Sequence, residues 1–149
     1  MSVFSLFIKE KPMTVANKLL NKNSEGTRIK TILLADDDEF VRDFTKTVLI
    51  MSGYSVIDAI DGEDALLKYE LYRKYINLLI FDICMPKRNG YETYKTIAMI
   101  DPHVKAIFIS GYTNDFLRRQ DIINRGLVLV SKPFSPKELI QQIHRLFIA

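Results

Sequence analysis

The sequence predicts an α/β fold: five parallel strands in one doubly wound sheet, with helices on both faces. Three observations lead there. Short apolar runs alternate with longer amphipathic stretches five times from Ile29 onward. The run Leu78-Leu79-Ile80-Phe81 is apolar without polar alternation, as in a strand covered on both faces. A helix-length stretch separates each pair of successive runs, so right-handed crossovers would make the neighbours parallel.

Taken in order, Thr31-Ile32-Leu33-Leu34-Ala35 is the first strand and runs into Asp36-Asp37-Asp38. The helix after it has Phe40, Val41, Phe44, Val48 and Leu49 at helical spacing, which predicts a buried face made of these residues. Gly53 suits its C-terminal end. Ser55 to Ala59 is the second strand, and Gly62 to Tyr72 the second helix, with Ala65, Leu66 and Tyr69 inward. The third strand ends at Asp82, and Pro86 and Gly90 stop any regular element soon after. A helix from Tyr91 to Ile100 is stopped by Asp101-Pro102. Val104 to Ile109 is the fourth strand, Asn114 to Asn124 the fourth helix, and Leu127 to Val130 the fifth strand. In Ser135-Pro136-Lys137-Glu138, an N-cap Ser, a Pro at the first helical position and a Glu three residues past the cap open the last helix. Leu139, Ile140, Ile143, Leu146 and Phe147 form its inward stripe.

Length and charge narrow the function. A chain of 149 residues suits one folded body with a real core. No apolar run approaches the roughly 20 residues that span a membrane. A single cysteine, Cys84, excludes an internal disulfide and points to a cytoplasmic setting. Residues 1–30 carry six Lys/Arg against two acids, and residues 31–149 fifteen against sixteen. The folded body is thus nearly neutral and gives no sign of nucleic-acid binding. Asn21 to Arg28 is polar, so 1–28 reads as an extension or linker and 29–149 as the domain.

Four strands carry a reactive group at or just past their carboxyl ends: Asp36-Asp37, Asp82, Ser110 and Lys132. In an open parallel sheet those ends share one edge, where ligands bind. Three carboxylates brought together raise one another's pKa unless a cation joins them. Hard oxygen donors with room for water suit Mg²⁺. A metal, a Lys and a hydroxyl beside it make a pocket for a phosphoryl group, and a carboxylate there can act as nucleophile to give an aspartyl phosphate.

With these motifs in view, the stretch from about Ile29 to Ile148 closely resembles the receiver domain of two-component response regulators. The resemblance rests on Asp36-Asp37-Asp38-Glu39 with Arg42 following, Phe81-Asp82-Ile83-Cys84-Met85-Pro86 with Gly90 beyond, Ile109-Ser110-Gly111, and Lys132-Pro133-Phe134. It implies a flavodoxin-like strand order 2-1-3-4-5, with Asp82 as phosphoacceptor. Asp37, Asp82 and the backbone carbonyl of Cys84 would be direct Mg²⁺ ligands, with Asp36 acting through water. Ser110 and Lys132 would contact the phosphoryl group, and the Lys132–Pro133 bond would be cis. The domain would catalyse its own phosphorylation and dephosphorylation without being a dedicated enzyme. Its partner would be a histidine kinase or a histidine phosphotransfer domain, and it could pair with a second copy through the fourth helix, fifth strand and fifth helix.

Leu129 stands where the family usually has the aromatic residue that swings inward on phosphorylation. Ile109 to Thr113 and Lys132 to Ser135 are most similar to receivers attached to hybrid sensor kinases, and Phe4-Ser5-Leu6-Phe7-Ile8 is similar to the last strand of a kinase ATP-binding domain. The chain would then be a fragment of a hybrid kinase. His103 and His144 lack a phosphodonor motif, and the expectation is of no DNA-binding output domain after the last helix. Two alternatives are a phosphatase of the haloacid-dehalogenase type and a degenerate receiver that acts only as an interaction domain. The first requires Asp-x-Asp-x-Thr/Val, whereas Phe40 stands at the last place.

Overall fold

The computed structural model of the protein describes residues 28–111 and 116–148. The expected strand at Val3–Ile8, the linker up to residue 27 and the loop residues Tyr112 and Thr113 lie outside them. Ten elements alternate: β1 (Thr31–Ala35), α1 (Glu39–Met51), β2 (Ser55–Ala59), α2 (Gly62–Tyr72), β3 (Ile76–Asp82), α3 (Gly90–Ile100), β4 (Ala106–Ser110), α4 (Phe116–Asn124), β5 (Val128–Ser131) and α5 (Pro136–Ile148). The strands form one sheet in the order β2-β1-β3-β4-β5, with every pair parallel. This is the expected doubly wound, flavodoxin-like architecture. Among the described residues no helix is long and apolar enough to cross a membrane.

Strand periodicity divides the core into two layers. Leu33, Ala35, Leu79, Phe81 and Phe108 face α2, α3 and α4, and meet Ala65, Tyr69, Tyr91, Ile97 and Ile122. Ile32, Leu34, Leu78, Ile80, Ile107 and Ile109 face α1 and α5, and meet Leu49, Leu139 and Ile143. Both faces of β1, β3 and β4 are covered, which explains why their sequences do not alternate. Each fully buried aliphatic side chain contributes about 1.5–3 kcal/mol.

The helix starts follow local chemistry. Asp38 caps α1 by accepting from the Phe40 and Val41 amides, Asp61 caps α2 and Asn89 caps α3. At α5 the reciprocal pair forms as expected: the Ser135 amide donates to Glu138 Oε2 at 2.9 Å, and the Glu138 amide donates to Ser135 Oγ at 3.2 Å. Gly53 takes φ +95° just after α1, a conformation that a side chain would strain.

The buried face of α1 differs from the expected one. Phe40 is 85% exposed and Phe44 48%, and the buried positions are Arg42, Thr45 and Leu49. Hydrophobic spacing assigns an arginine to the solvent side. Here Arg42 turns inward because its charge finds partners there, and this rotates the stripe. The bounds of β4 and β5 also shift, so that pairing reaches Ser110 and Ser131.

The capping pair at α5 gives the first prediction. Ser135→Ala should lower stability by about 1 kcal/mol, measured as a fall in the urea midpoint with an unchanged slope.

Candidate functional site

Four of the five strands deliver a site group by ending where they do. Asp82 is the last residue of β3, Ser110 the last of β4, Asp36 follows the last residue of β1, and Lys132 follows that of β5. The Asp36, Asp37 and Asp82 carboxylates each offer an oxygen within 4.8 Å of the others. Lys132 Nζ joins them, donating to Asp82 Oδ2 at 3.0 Å and Asp36 Oδ2 at 3.3 Å. Asp36 and Asp82 are buried, and Asp37 is exposed at the mouth. Ser110 is also buried, and its hydroxyl donates to the Gly111 carbonyl at 3.1 Å. The strand ends therefore cluster the Asp36, Asp37 and Asp82 carboxylates, with Lys132 on two of them and Ser110 turned to the Gly111 carbonyl. Lys132–Pro133 is cis, as the resemblance implied.

Burial dominates the electrostatics. It pushes the Asp82 carboxyl up to about 6, helped by the Asp36 charge and opposed by the Lys132 hydrogen bond. Burial also raises the Asp36 carboxyl, against the Asp38 amide and Lys132. Burial works against the Lys132 ammonium, but Asp82 and Asp36 more than offset it and hold its pKa above the usual lysine value. Three carboxylates and one ammonium leave two negative charges uncompensated. An oxygen-rich pocket of that charge fits a small divalent cation.

The loop from β3 to α3 forms the near wall of the site. The Cys84 amide donates to Asp82 Oδ1 at 3.3 Å. The Gly90 amide donates to the Ile83 carbonyl at 3.0 Å, and a Cβ on Gly90 would lie 2.1 Å from the Asp82 carbonyl oxygen. Only glycine fits so close to that backbone. An open cleft of about 590 Å³ separates Asp37 and this loop from Arg118 of α4.

Sequence reading missed the clamp behind this loop. Asp61 Oδ2 lies 3.4 Å from Lys87 Nζ, and a Cβ on Gly62 would meet the Arg88 carbonyl at 2.3 Å. Lys87 itself takes a left-handed backbone at φ 63°. The only local signal was Asp61-Gly62 at a helix start, which an ordinary cap explains. The reading also missed Tyr91, whose hydroxyl bonds to Asp121 and so ties α3 to α4.

Comparison with known proteins decides the family. A profile for the response regulator receiver domain matches residues 32–144. The chain belongs to the receiver-domain family. It is 35% identical to the response regulator receiver protein CpdR of Brucella abortus over 81% of this chain and 99% of that protein. It is 27% identical to the sensor kinase CckA of the same organism over 91% of this chain, but spans only 14% of that kinase. Among solved structures, a CheY-like receiver from Methanospirillum hungatei superposes with TM-score 0.71 at 30% identity, covering 78% of this chain and 92% of its own. The CheX–CheY–BeF₃–Mg²⁺ complex from Borrelia burgdorferi matches with TM-score 0.74 at 26% identity, covering 82% and 92%. This receiver is a phosphoacceptor signalling module of the two-component type, built around the acidic pocket of Asp36, Asp37 and Asp82. Receivers partner with histidine kinases, and that family membership displaces the phosphatase alternative.

The raised pKa of Asp82 yields a signed prediction for metal-free protein. A carboxyl whose folded pKa lies above its ordinary 3.8 destabilises the fold when ionised, so its contribution worsens as pH rises from about 4 to about 6. Asp82→Asn should therefore be more stable than wild type at pH 7, by on the order of 1–3 kcal/mol, and the gain should vanish below pH about 4. Thermal unfolding across that range with a chelator present measures it.

Proposed function

We propose that Asp82 is the residue phosphorylated. Its carboxylate oxygen attacks the phosphorus of a phosphohistidine, the P–N bond breaks with its electron pair passing to the imidazole nitrogen, and an aspartyl phosphate is left. The observation that carries this reading is the convergence of Asp82 with Asp36, Asp37 and Lys132 at one sheet edge. Asp82 alone among the three carboxylates both ends a central strand and shares Lys132 with a neighbour.

The remaining groups take roles by position. Lys132 offers its ammonium to a phosphoryl oxygen. Ser110 leaves the Gly111 carbonyl and donates to another. Asp37, Asp82 and the Cys84 carbonyl form the set for direct contact with Mg²⁺, and Asp36, held by the Asp38 amide at 2.9 Å, acts one shell further out. Bound Mg²⁺ supplies positive charge that neutralises phosphoryl oxygens against these carboxylates. The match to a receiver solved with BeF₃ and Mg²⁺ supports the choice of metal and of phosphoryl site.

The donor is a histidine kinase or a histidine phosphotransfer domain. The likeness to CckA over 91% of this chain supports attachment to a hybrid kinase, with residues before Arg28 as linker. A free-standing receiver is the second reading, supported by the match to 99% of CpdR. Output passes through the face of α4, β5 and α5, which would also serve a homodimer. Leu129 is half-buried against the core, opposite Phe108, so β5 carries no aromatic ring to lock the switched state. The shift in population is therefore smaller than in receivers that carry Tyr or Phe there, since a decisive switch takes several kcal/mol of differential stabilisation.

Incubation with Mg²⁺ and acetyl phosphate, read by intact mass, should add one base-labile phosphoryl group to wild type and none to Asp82→Asn. Phosphate on Asp36 or Asp37 at the wild-type rate would refute the assignment. In metal titrations Asp37→Ala should weaken Mg²⁺ binding more than Asp36→Ala, and equal losses would overturn the inner and outer roles. With beryllofluoride, amide exchange should change in α4 and at the β5–α5 turn. A change confined to the Asp82 loop would leave a phosphate relay in place of a switch.

A further inference from the structure

Arg42 occupies a place where the sheet face calls for an apolar side chain. It is 8% exposed on the inward stripe of α1. Its Nη1 donates to the carbonyl oxygen of Asp36 at 2.8 Å. Its Nε lies 3.6 Å from Asp58 Oδ2 of β2 and, among the described residues, has no hydrogen-bond partner. Lys46 takes the other Asp58 oxygen at 2.8 Å. A buried guanidinium is costly unless its partners are fixed, so the pairing holds Arg42 as firmly as it holds the groups it meets.

The atom it grips matters. Asp36 is the first residue beyond β1, where the paired register with β2 and β3 has ended. Its amide still donates to the Ala59 carbonyl at 3.3 Å, and its carbonyl goes to Arg42. Asp36 is thus anchored through both flanking peptides: the Ala35–Asp36 unit to β2 by the Asp36 amide, and the Asp36–Asp37 unit to α1 by the Asp36 carbonyl. We propose that Arg42 is a positioning residue: by fixing that peptide it aims the Asp36 and Asp37 carboxylates at Asp82, and so sets the affinity of the pocket for a divalent cation. The metal part rests on the site reading above.

Position and charge predict opposite signs. Removing a nearby positive charge, by itself, makes the pocket more negative and tightens cation binding. Losing the anchor loosens it, and partners behind metal ligands commonly matter by tenfold or more. The test compares Arg42→Met with Lys46→Gln, which also removes a cation from Asp58 but leaves Asp36 untouched. Two readouts are taken on the full chain: Mg²⁺ affinity by calorimetry, and hydrogen exchange of the Asp36 and Asp38 amides without metal, relative to core amides such as Ile80. Arg42→Met should weaken Mg²⁺ binding about tenfold and speed exchange selectively at Asp36 and Asp38, while Lys46→Gln stays near wild type in both.

Unchanged exchange at those amides overturns the proposal whatever the metal does. Faster exchange with equal or tighter Mg²⁺ binding overturns its metal part, as does an equal loss in Lys46→Gln. If wild type takes up no Mg²⁺, the site reading fails, and amide exchange alone still decides whether Arg42 holds the peptide. Should Arg42→Met not fold, Arg42→Lys carries the same comparison: its single ammonium cannot serve Asp36 and Asp58 together, and an intermediate loss is expected.

Discussion

Three carboxylates held against one another at the carboxyl edge of a sheet is the constraint on which this molecule turns. Burial raises the Asp82 carboxyl to about 6, and the neighbouring Asp36 charge adds to that rise. One ammonium, Lys132, bridges two of them and cannot neutralise all three. Much of the surrounding structure works to keep this unfavourable cluster together. Two fully covered core layers hold β1 and β3 side by side, so that their ends cannot spread apart. The strain is local, and a pocket with surplus negative charge suits a small divalent cation.

The walls of the pocket are fixed from behind. Asp61 and Lys87 tie the β3–α3 loop to the start of α2, where Gly62 leaves no room for a side chain. Gly90 lets the same loop close on the Asp82 backbone. Across the pocket, Ser110 ends β4 and hydrogen-bonds locally, the one polar group of the set that is free of the carboxylates. On the proposed reading, that hydroxyl is the group a phosphoryl ligand would recruit. The aromatic tie between α3 and α4 is made by Tyr91, edge-on to Phe108 at 5.9 Å and bonded to Asp121, while Leu129 fills its place on β5.

Much of this was readable from residue order. Strand-end placement of Asp36, Asp37, Asp82, Ser110 and Lys132 follows from apolar runs that stop at those residues, because a buried strand ends where its polar group must meet solvent or ligand. The caps at Asp38 and Ser135 follow from short-range hydrogen bonding. The stripe of α1 was misread because periodicity counts Arg42 as polar and Phe40 as apolar, while burial is decided by partners. Those partners, the Asp36 carbonyl just past β1 and Asp58 in β2, are ones that spacing along a helix does not reveal.

The sequence by itself determined the element order, the parallel sheet and the set of groups at its edge, since these depend on local hydrophobic period and on the handedness of crossovers. Only the tertiary structure decided which of those groups touch and what stands behind them. It put Lys132 between Asp36 and Asp82, turned Ser110 to Gly111, and set Arg42 behind the Asp36 peptide. The physical reason is range. Apolar periodicity acts within an element, whereas a salt bridge between residues 36 and 132 exists only after four crossovers have folded the strand ends onto one edge.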